Sequence, residues 1–290
     1  MFLEGGTIKT KVLVFSSSGI DYISHPQQIS IIPDIIRSAY DEVYEEASEL
    51  DTLLFYERAR NDKYFKPSVE VCMVDSIVKV IEAALSNNYD RFIIYVNSND
   101  VINYSNVVDS ILEMYPHLDI TVIKINAIAY PLAQLAIDSE KIVRNTNNID
   151  AVISLANGYR DSFKIYFYSP KENVLPSIKR IDFDDDVISS STSGKLYVYN
   201  GVLDEVRRDA RESYLEKMLD LYRFDIEDNK VIPFILYTNK YSLYNEILDR
   251  KLLAIFTRLK TIKKYPIPAV IGNKIGYNSI GIGFIKKADE

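Results

Sequence analysis

The sequence predicts an α/β protein of two domains, a parallel sheet with crossover helices in the first and a mixed α/β arrangement in the second. Three observations predict it. At 290 residues the chain is long enough for two cores of ordinary size. Through the first half, short apolar runs alternate with segments of helical spacing, the rhythm of strand and crossover helix. Past Gly158 the rhythm becomes irregular, with a strand pattern from Phe163 to Tyr168 and glycine-spaced apolar residues near the end. The division falls near Gly158, giving residues 1–158 to the first domain and 159–290 to the second.

The elements follow in order. Lys11-Val12-Leu13-Val14-Phe15 is an apolar run ending in Ser16-Ser17-Ser18-Gly19, a buried strand entering a polar loop. Ile29 to Ile36, broken by Pro33, is extended. Ala39 to Arg60, with Tyr44-Glu45-Glu46-Ala47 and Leu53-Leu54-Phe55-Tyr56-Glu57, reads as helix. Val74, Ile77, Val78, Ile81, Ala84 and Leu85 stand at helical spacing, and Asn87-Asn88 stops them. Arg91 to Val96 is a strand, Asn97-Ser98-Asn99-Asp100 its loop, and Asn103 to Tyr115 a helix. Asp119 to Ile125 and Tyr130 to Arg144 repeat the pair, and Ile149 to Ala156 is a further helix. In the second half the patterns predict strands over Leu196 to Tyr199, Val231 to Tyr237, Ala269-Val270-Ile271 and Ile282 to Ile285. Helices are predicted over Asp204 to Tyr222 and Leu243 to Leu259. The polar stretch Asp182 to Gly194 reads as a surface loop.

Composition narrows the function. A net charge of −7 argues against a nucleic-acid groove or a polybasic membrane patch. No apolar stretch approaches the roughly 18 residues of a membrane span. Glu4 stands where a signal peptide carries positive charge, and the single cysteine, Cys72, has no partner for an internal disulfide. A cytoplasmic protein is the expectation. His25 and His117 are the only histidines, each beside a proline, so no His-rich metal site is expected and no metal or cofactor is assigned. Cys72, inside Val69-Glu70-Val71-Cys72-Met73-Val74, reads as a buried structural thiol.

In an open parallel sheet, ligands collect beyond the carboxyl ends of the strands. Three loops leave such ends: Ser16 to Gly19, Asn97 to Asp100, and Asn126-Ala127. Their hydroxyls and amides suit a carboxylate or phosphate; ordinary turn and cap chemistry uses the same residues. The segment Ile271-Gly272-Asn273-Lys274-Ile275-Gly276-Tyr277-Asn278-Ser279-Ile280-Gly281-Ile282-Gly283-Phe284 is more distinctive. A nucleotide loop opens a helix in a strand–turn–helix unit, whereas Gly281-Ile282-Gly283-Phe284 reads as strand. A tight hairpin, or a backbone pressed against a ligand, is the expectation.

With Gly272, Gly276, Gly281, Gly283 and Phe284 in place, this segment resembles the closing motif of the DegV family, a bacterial fatty-acid-binding family. Lys274 stands at that motif's histidine. The resemblance covers nearly the whole chain. Val14-Phe15-Ser16-Ser17-Ser18 is similar to the opening strand, with Ser16 at the family's aspartate. Lys66-Pro67-Ser68 falls near the Thr-Thr-Ser segment, Asn88-Tyr89-Asp90 and Ser98 follow the lead into the serine-rich loop, and Ile178-Lys179-Arg180-Ile181 is similar to Gly-Gly-Arg-Ile.

The resemblance implies two α/β domains with a long-chain fatty acid held in the interior, the terminal glycine-rich loop returning to the site between them. It implies a non-catalytic carrier that presents the carboxylate to a partner fatty acid kinase. The head-group contacts would come from Ser17, Ser68, Ser98, Lys274 and Asn278, with Arg180 facing the phosphorylated head or the partner. At about 0.8 kcal/mol per buried methylene, roughly 15 methylenes gain on the order of 12 kcal/mol before entropic costs. Two alternatives stand beside this reading. A diverged paralogue would act as an interaction or scaffold protein without lipid. A hydrolase would use Ser17 or Ser98, although neither lies in a Gly-x-Ser-x-Gly elbow. For Lys274 and Arg180 the plain reading is a solvated surface cation.

Overall fold

In the computed structural model, residues 8–99, 102–170, 194–206, 214–224 and 231–286 are described. The protein is α/β, and the described residues form a parallel sheet, a mixed sheet and a small antiparallel sheet. The chain opens with β1 (Thr10–Phe15), buried along its whole length. After β2 (Ile29–Ile32), Pro33 and Asp34 turn it into β3 (Ile35–Arg37), which pairs antiparallel with β4 (Val43–Glu45). Helix α1 (Thr52–Asn61) starts only after Asp51, whose carboxylate caps it by accepting from the amides of Leu53 and Leu54. β5 (Ser68–Glu70) completes the small sheet, in the order β4-β3-β5.

α2 (Val74–Leu85) buries Ile77, Ile81 and Ala84 on one stripe. β6 (Arg91–Val96), α3 (Ser105–Met114), β7 (Asp119–Lys124) and α4 (Ala129–Thr146) follow. Asn147, in the left-handed conformation at φ 51°, ends α4, and Asn148 caps α5 (Ile149–Tyr159). The parallel sheet has the order β2-β1-β6-β7. Gly158, expected between domains, lies inside α5.

The second sheet is built from β8 (Phe163–Pro170), β9 (Gly194–Tyr199), β10 (Leu203–Val206), β11 (Val231–Tyr237), β12 (Lys263–Pro266) and β13 (Ile280–Lys286). Its order is β10-β9-β8-β13-β11-β12, antiparallel except for β11 and β12. Its helices are α6 (Tyr214–Phe224), α7 (Leu243–Ile255) and α8 (Ala269–Ile275). Strand alternation gives this sheet two faces. Ile165, Phe167, Phe234 and Leu236 join one apolar core with β1, β6 and α4. Tyr166, Tyr168, Ile235 and Ile282 face a second core with Leu215 and Met218 of α6 and Leu248 and Leu252 of α7.

Several expectations are corrected. Tyr44 and Glu45 belong to β4, and Ala47 follows at φ 70°, a conformation no helix contains. Leu203 to Val206 pairs with β9 instead of opening a helix. Ala269 to Ile271 is the first turn of α8 and not strand, since an apolar run of that length fits either state. The glycine-rich segment makes no hairpin: β13 pairs with β8 and β11. Gly276 instead ends α8 at φ 115°, where a Cβ would meet the Ser169 hydroxyl.

Candidate functional site

The site grows from the end of β1. Beyond Phe15 the chain makes a 3-10 turn of three buried serines, Ser16–Ser18, closed by Gly19 at φ 61°. Ser16 Oγ accepts from the Asp34 amide (3.0 Å) and stands 3.0 Å from Asp34 Oδ2 and 2.9 Å from Glu46 Oε2. A hydroxyl carries one proton. Ser16 therefore donates to one carboxyl, and the other must carry a proton to reach it. Asp34 also accepts from the Tyr104 phenol (2.7 Å) and the Cys72 amide (3.1 Å). Glu46 Oε1 accepts from the Thr52 hydroxyl (3.0 Å) and the Ala269 amide (2.7 Å).

Both carboxyls are fully buried or nearly so. Burial, and then the charge of Glu46, push Asp34 up to about 8, and burial likewise raises Glu46. Asp21, one turn away, is pushed to about 7 by burial and then by Glu46. The pair thus holds a proton at neutral pH, and it ties β1, the β2–β3 turn, the end of β4, α1 and the start of α8 at one point. Nothing in the sequence nominated Asp34, Glu46 or Tyr104. The one available signal was an aspartate directly after Pro33 in an otherwise apolar run.

Of the three loops expected at the carboxyl ends of the strands, those after β6 and β7 meet directly, while the serine turn after β1 meets Tyr104, beyond the loop of β6. Tyr104, following the loop of β6, stacks on Phe15 with centroids 3.6 Å apart and planes at 3°. Asn97 Nδ2 donates to Ala127 O (2.9 Å), and the Ser98 amide donates to Asn126 Oδ1 (3.0 Å).

α8 lies over this end of the sheet, packed on β5 and on the turn after β1. Beneath it Tyr56 of α1 is fully buried, its phenol shared between the carbonyls of Ile267 (2.8 Å) and Pro268 (3.1 Å). A Cβ on Gly272 would collide with the Tyr56 ring. Phe55, Phe65 and Tyr277 extend the aromatic packing, and Arg60 donates to the carbonyls of Thr238 and Tyr277.

The packing of α8 brings together the segments that carry Ser17, Ser68 and Lys274. Ser17 is buried beside the Tyr104 phenol, without a well-formed hydrogen bond. Ser68 is exposed at the start of β5, opposite Arg37. Lys274 is exposed on the last turn of α8, and Asn278 is half-buried between α8 and β13. Ser98 is exposed on a loop held elsewhere: the adjoining Asn99 donates to the Tyr199 phenol (2.9 Å) and to Gly201 O (2.8 Å). Arg180, Asp100 and residues 182–193 lie outside the described residues. The Cys72 thiol is buried, and burial pushes its pKa up, which leaves it an inert thiol.

The described contacts of Ser17 and Ser98 include no histidine; His25 Nδ1 faces the Ile23 carbonyl, and His117 lies beside Tyr115. Among the described residues no group of three His, Cys, Asp or Glu could hold a metal ion, and no helix is long and apolar enough to cross a membrane. A cavity of about 580 Å³ opens between β2 and α2, and one of about 220 Å³ beside Arg160 and Lys286. Neither lies between α1 and α8.

Comparison with known proteins gives consistent matches. A family model described as "Uncharacterised protein, DegV family" matches residues 9–287. A DegV lipid-binding protein of Thermotoga maritima superposes with a TM-score of 0.73 at 16% identity, over 98% of this chain and 100% of that one. A fatty-acid-binding DegV family protein of Thermus thermophilus gives 0.71 at 14%, over 96% and 100%. The fatty acid kinase (Fak) B3 protein of Streptococcus pneumoniae, loaded with linoleic acid, gives 0.67 at 14%, over 97% and 100%. A search of curated proteins finds no match.

Proposed function

The chain belongs to the DegV family, and from that premise we propose that it binds a long-chain fatty acid and presents the carboxylate to a partner fatty acid kinase, itself catalysing nothing. The observation that carries this reading is the superposition, nearly end to end, on proteins described as fatty-acid-binding or as loaded with linoleic acid. A buried carboxylate needs donors or a cation. Ser17, Ser68, Ser98 and Asn278 would supply donors, and Lys274 a permanent charge. Arg180 would face the phosphorylated head or the kinase. The proton held by Asp34 and Glu46 matters here, because a second ionised carboxyl would repel the incoming head group. For the acyl chain to pass between α1 and α8, Tyr56 and Tyr277 must turn aside.

A second reading is favoured by that same aromatic packing. If the rings stay in place, the protein is a diverged family member that acts through its surface, without lipid. Native mass spectrometry of freshly purified protein separates the two. The carrier should show co-purified lipid or take up added oleate or palmitate. Lys274→Ala should weaken uptake by about tenfold or more, the loss of a charge-assisted contact, and Ser98→Ala by less. No uptake of either acid would leave the lipid-free reading standing.

A further inference from the structure

The opposite end of β1 carries a feature that the fatty-acid reading does not use. In a chain of net charge −7, three lysines converge on one cavity. The cavity of about 580 Å³ is lined by Lys9, Lys11 and Lys79, together with Gln27, Asn87 and Tyr89. Strand alternation sets Lys11 on the same face of β1 as Leu13 and Phe15, which are fully buried. Lys11 is accordingly 9% exposed, an uncommon position for an ammonium.

Its surroundings leave the charge uncompensated. The Lys11 ammonium donates to Gln27 O (2.6 Å) and stands 4.6 Å from the centroid of the Tyr89 ring. The Lys9 ammonium approaches the same ring at 6.0 Å. Among the described residues neither ammonium has a carboxylate within salt-bridge reach. The nearby acids are engaged otherwise: Asp90 accepts from the Lys9 amide (3.3 Å), and Glu45 pairs with the exposed Lys79 ammonium (3.5 Å). Burial lowers the Lys11 pKa, the direction expected of a desolvated cation without a counter-charge. One of its three protons is committed to Gln27, and the others remain for a ligand. A half-desolvated charge without a counter-charge carries a cost, and an anion in the cavity offsets it.

We propose that Lys9 and Lys11, with Lys79 at the rim beside Glu45, form a binding cleft for a small phosphate-bearing anion. Several cations around one cavity call for more than a single negative charge and for several acceptor oxygens, which a phosphate provides and a lone carboxylate does not. Gln27 and Asn87 offer neutral partners for the remaining oxygens. The cavity is larger than a bare phosphate, and Val80, Ala83 and Ala84 of α2 give it an apolar wall for the organic part of a phosphate ester. The cleft stands at the amino end of β1 and the serine turn at its carboxyl end, so this inference does not rest on lipid binding.

The test titrates inorganic pyrophosphate into the full chain by calorimetry, with vesicles of phosphatidylcholine and phosphatidic acid as a second arm. Saturable binding of pyrophosphate is expected, weakened about tenfold or more by Lys11→Met and also by Lys9→Met. Lys11→Met replaces a buried ammonium with an apolar chain, and Lys9→Met, nearer the rim, keeps the test decisive if the first variant does not fold. Lys251→Met is the control, because that ammonium pairs with Glu216 of α6 (2.6 Å); its binding should not change. Binding to the vesicles alone, lost in the same two variants, would retain the cleft and identify the source as a lipid head group. Absence of binding in both arms would overturn the proposal, as would binding indifferent to Lys9 and Lys11 or equally weakened in Lys251→Met.

Discussion

Ser16 has one hydroxyl proton and two buried carboxyls to satisfy, so a pH dependence is built into its surroundings. Burial and the charge of Glu46 push the Asp34 carboxyl up to about 8 in the fold, whereas it ionises near its ordinary carboxylate value in the unfolded chain. A raised folded-state pKa contributes stability that is fully present below the unfolded value and is lost as pH rises through the folded one. Asp21, raised to about 7, acts in the same direction. Urea denaturation should therefore show stability falling by more than about 1 kcal/mol between pH 5 and pH 8. Asp34→Asn, permanently neutral, should flatten that slope; an unchanged slope would place the proton elsewhere. Ser16→Ala removes the hydroxyl between the carboxyls and should cost about 1–3 kcal/mol at pH 7, read from the same denaturation curves. These residues were hidden in the sequence for a physical reason. Asp34 is 18 residues from Ser16 and Glu46 is 30, and only the folded sheet makes them neighbours.

At the scale of elements, α8 is held from two sides: the Ala269 amide on Glu46 at its start, and Gly272 against the Tyr56 ring at its middle. Gly272→Ala must push helix and ring apart, an overpacking expected to cost about 1–3 kcal/mol. It should speed amide exchange in residues 269–275 before that in β13; unchanged exchange there would show that α8 is not seated on Tyr56. Elements with a full apolar stripe or run were legible from sequence. α2, β6 and β11 lie where spacing put them, because their buried faces contain almost nothing polar. β12 escaped notice because Lys263-Lys264-Tyr265-Pro266 is an edge strand with little to bury. β4 escaped because Tyr44-Glu45-Glu46-Ala47 has helix-forming composition; pairing with β3 and the burial of Glu46 override that preference. The glycine frame at the end was legible as a pattern, while its local shape, a short helix ended by Gly276, was not.

At the scale of the whole molecule, the two larger sheets are not independent. Phe163, Ile165 and Phe167 of β8 share one apolar core with β1, β6 and α4, while the far face of the mixed sheet packs on α6 and α7. Tyr56 and Arg60 add hydrogen bonds from α1 to the segment that follows β12 and to the end of β11. Separating the halves would expose that shared surface, so unfolding should be cooperative. The chain has 22 tyrosines and no tryptophan, which makes tyrosine fluorescence a probe of both halves at once. Urea transitions followed by tyrosine fluorescence and by far-ultraviolet circular dichroism should coincide. Two separated transitions would mean that the shared core contributes little and that the halves fold alone. The same experiment carries the functional question. A ligand bound only to the folded state stabilises it by RT ln(1 + [L]/Kd), about 2.7 kcal/mol at a hundredfold excess over Kd. Oleate bound only by the folded protein should move the single transition as a whole, with both probes still coincident. A ligand that merely coats the surface or the unfolded chain leaves the midpoint unmoved or lowers it. If Lys274 meets the acyl carboxylate as proposed, the shift should shrink in Lys274→Ala and persist in Lys11→Met, because the two cations stand at different sites.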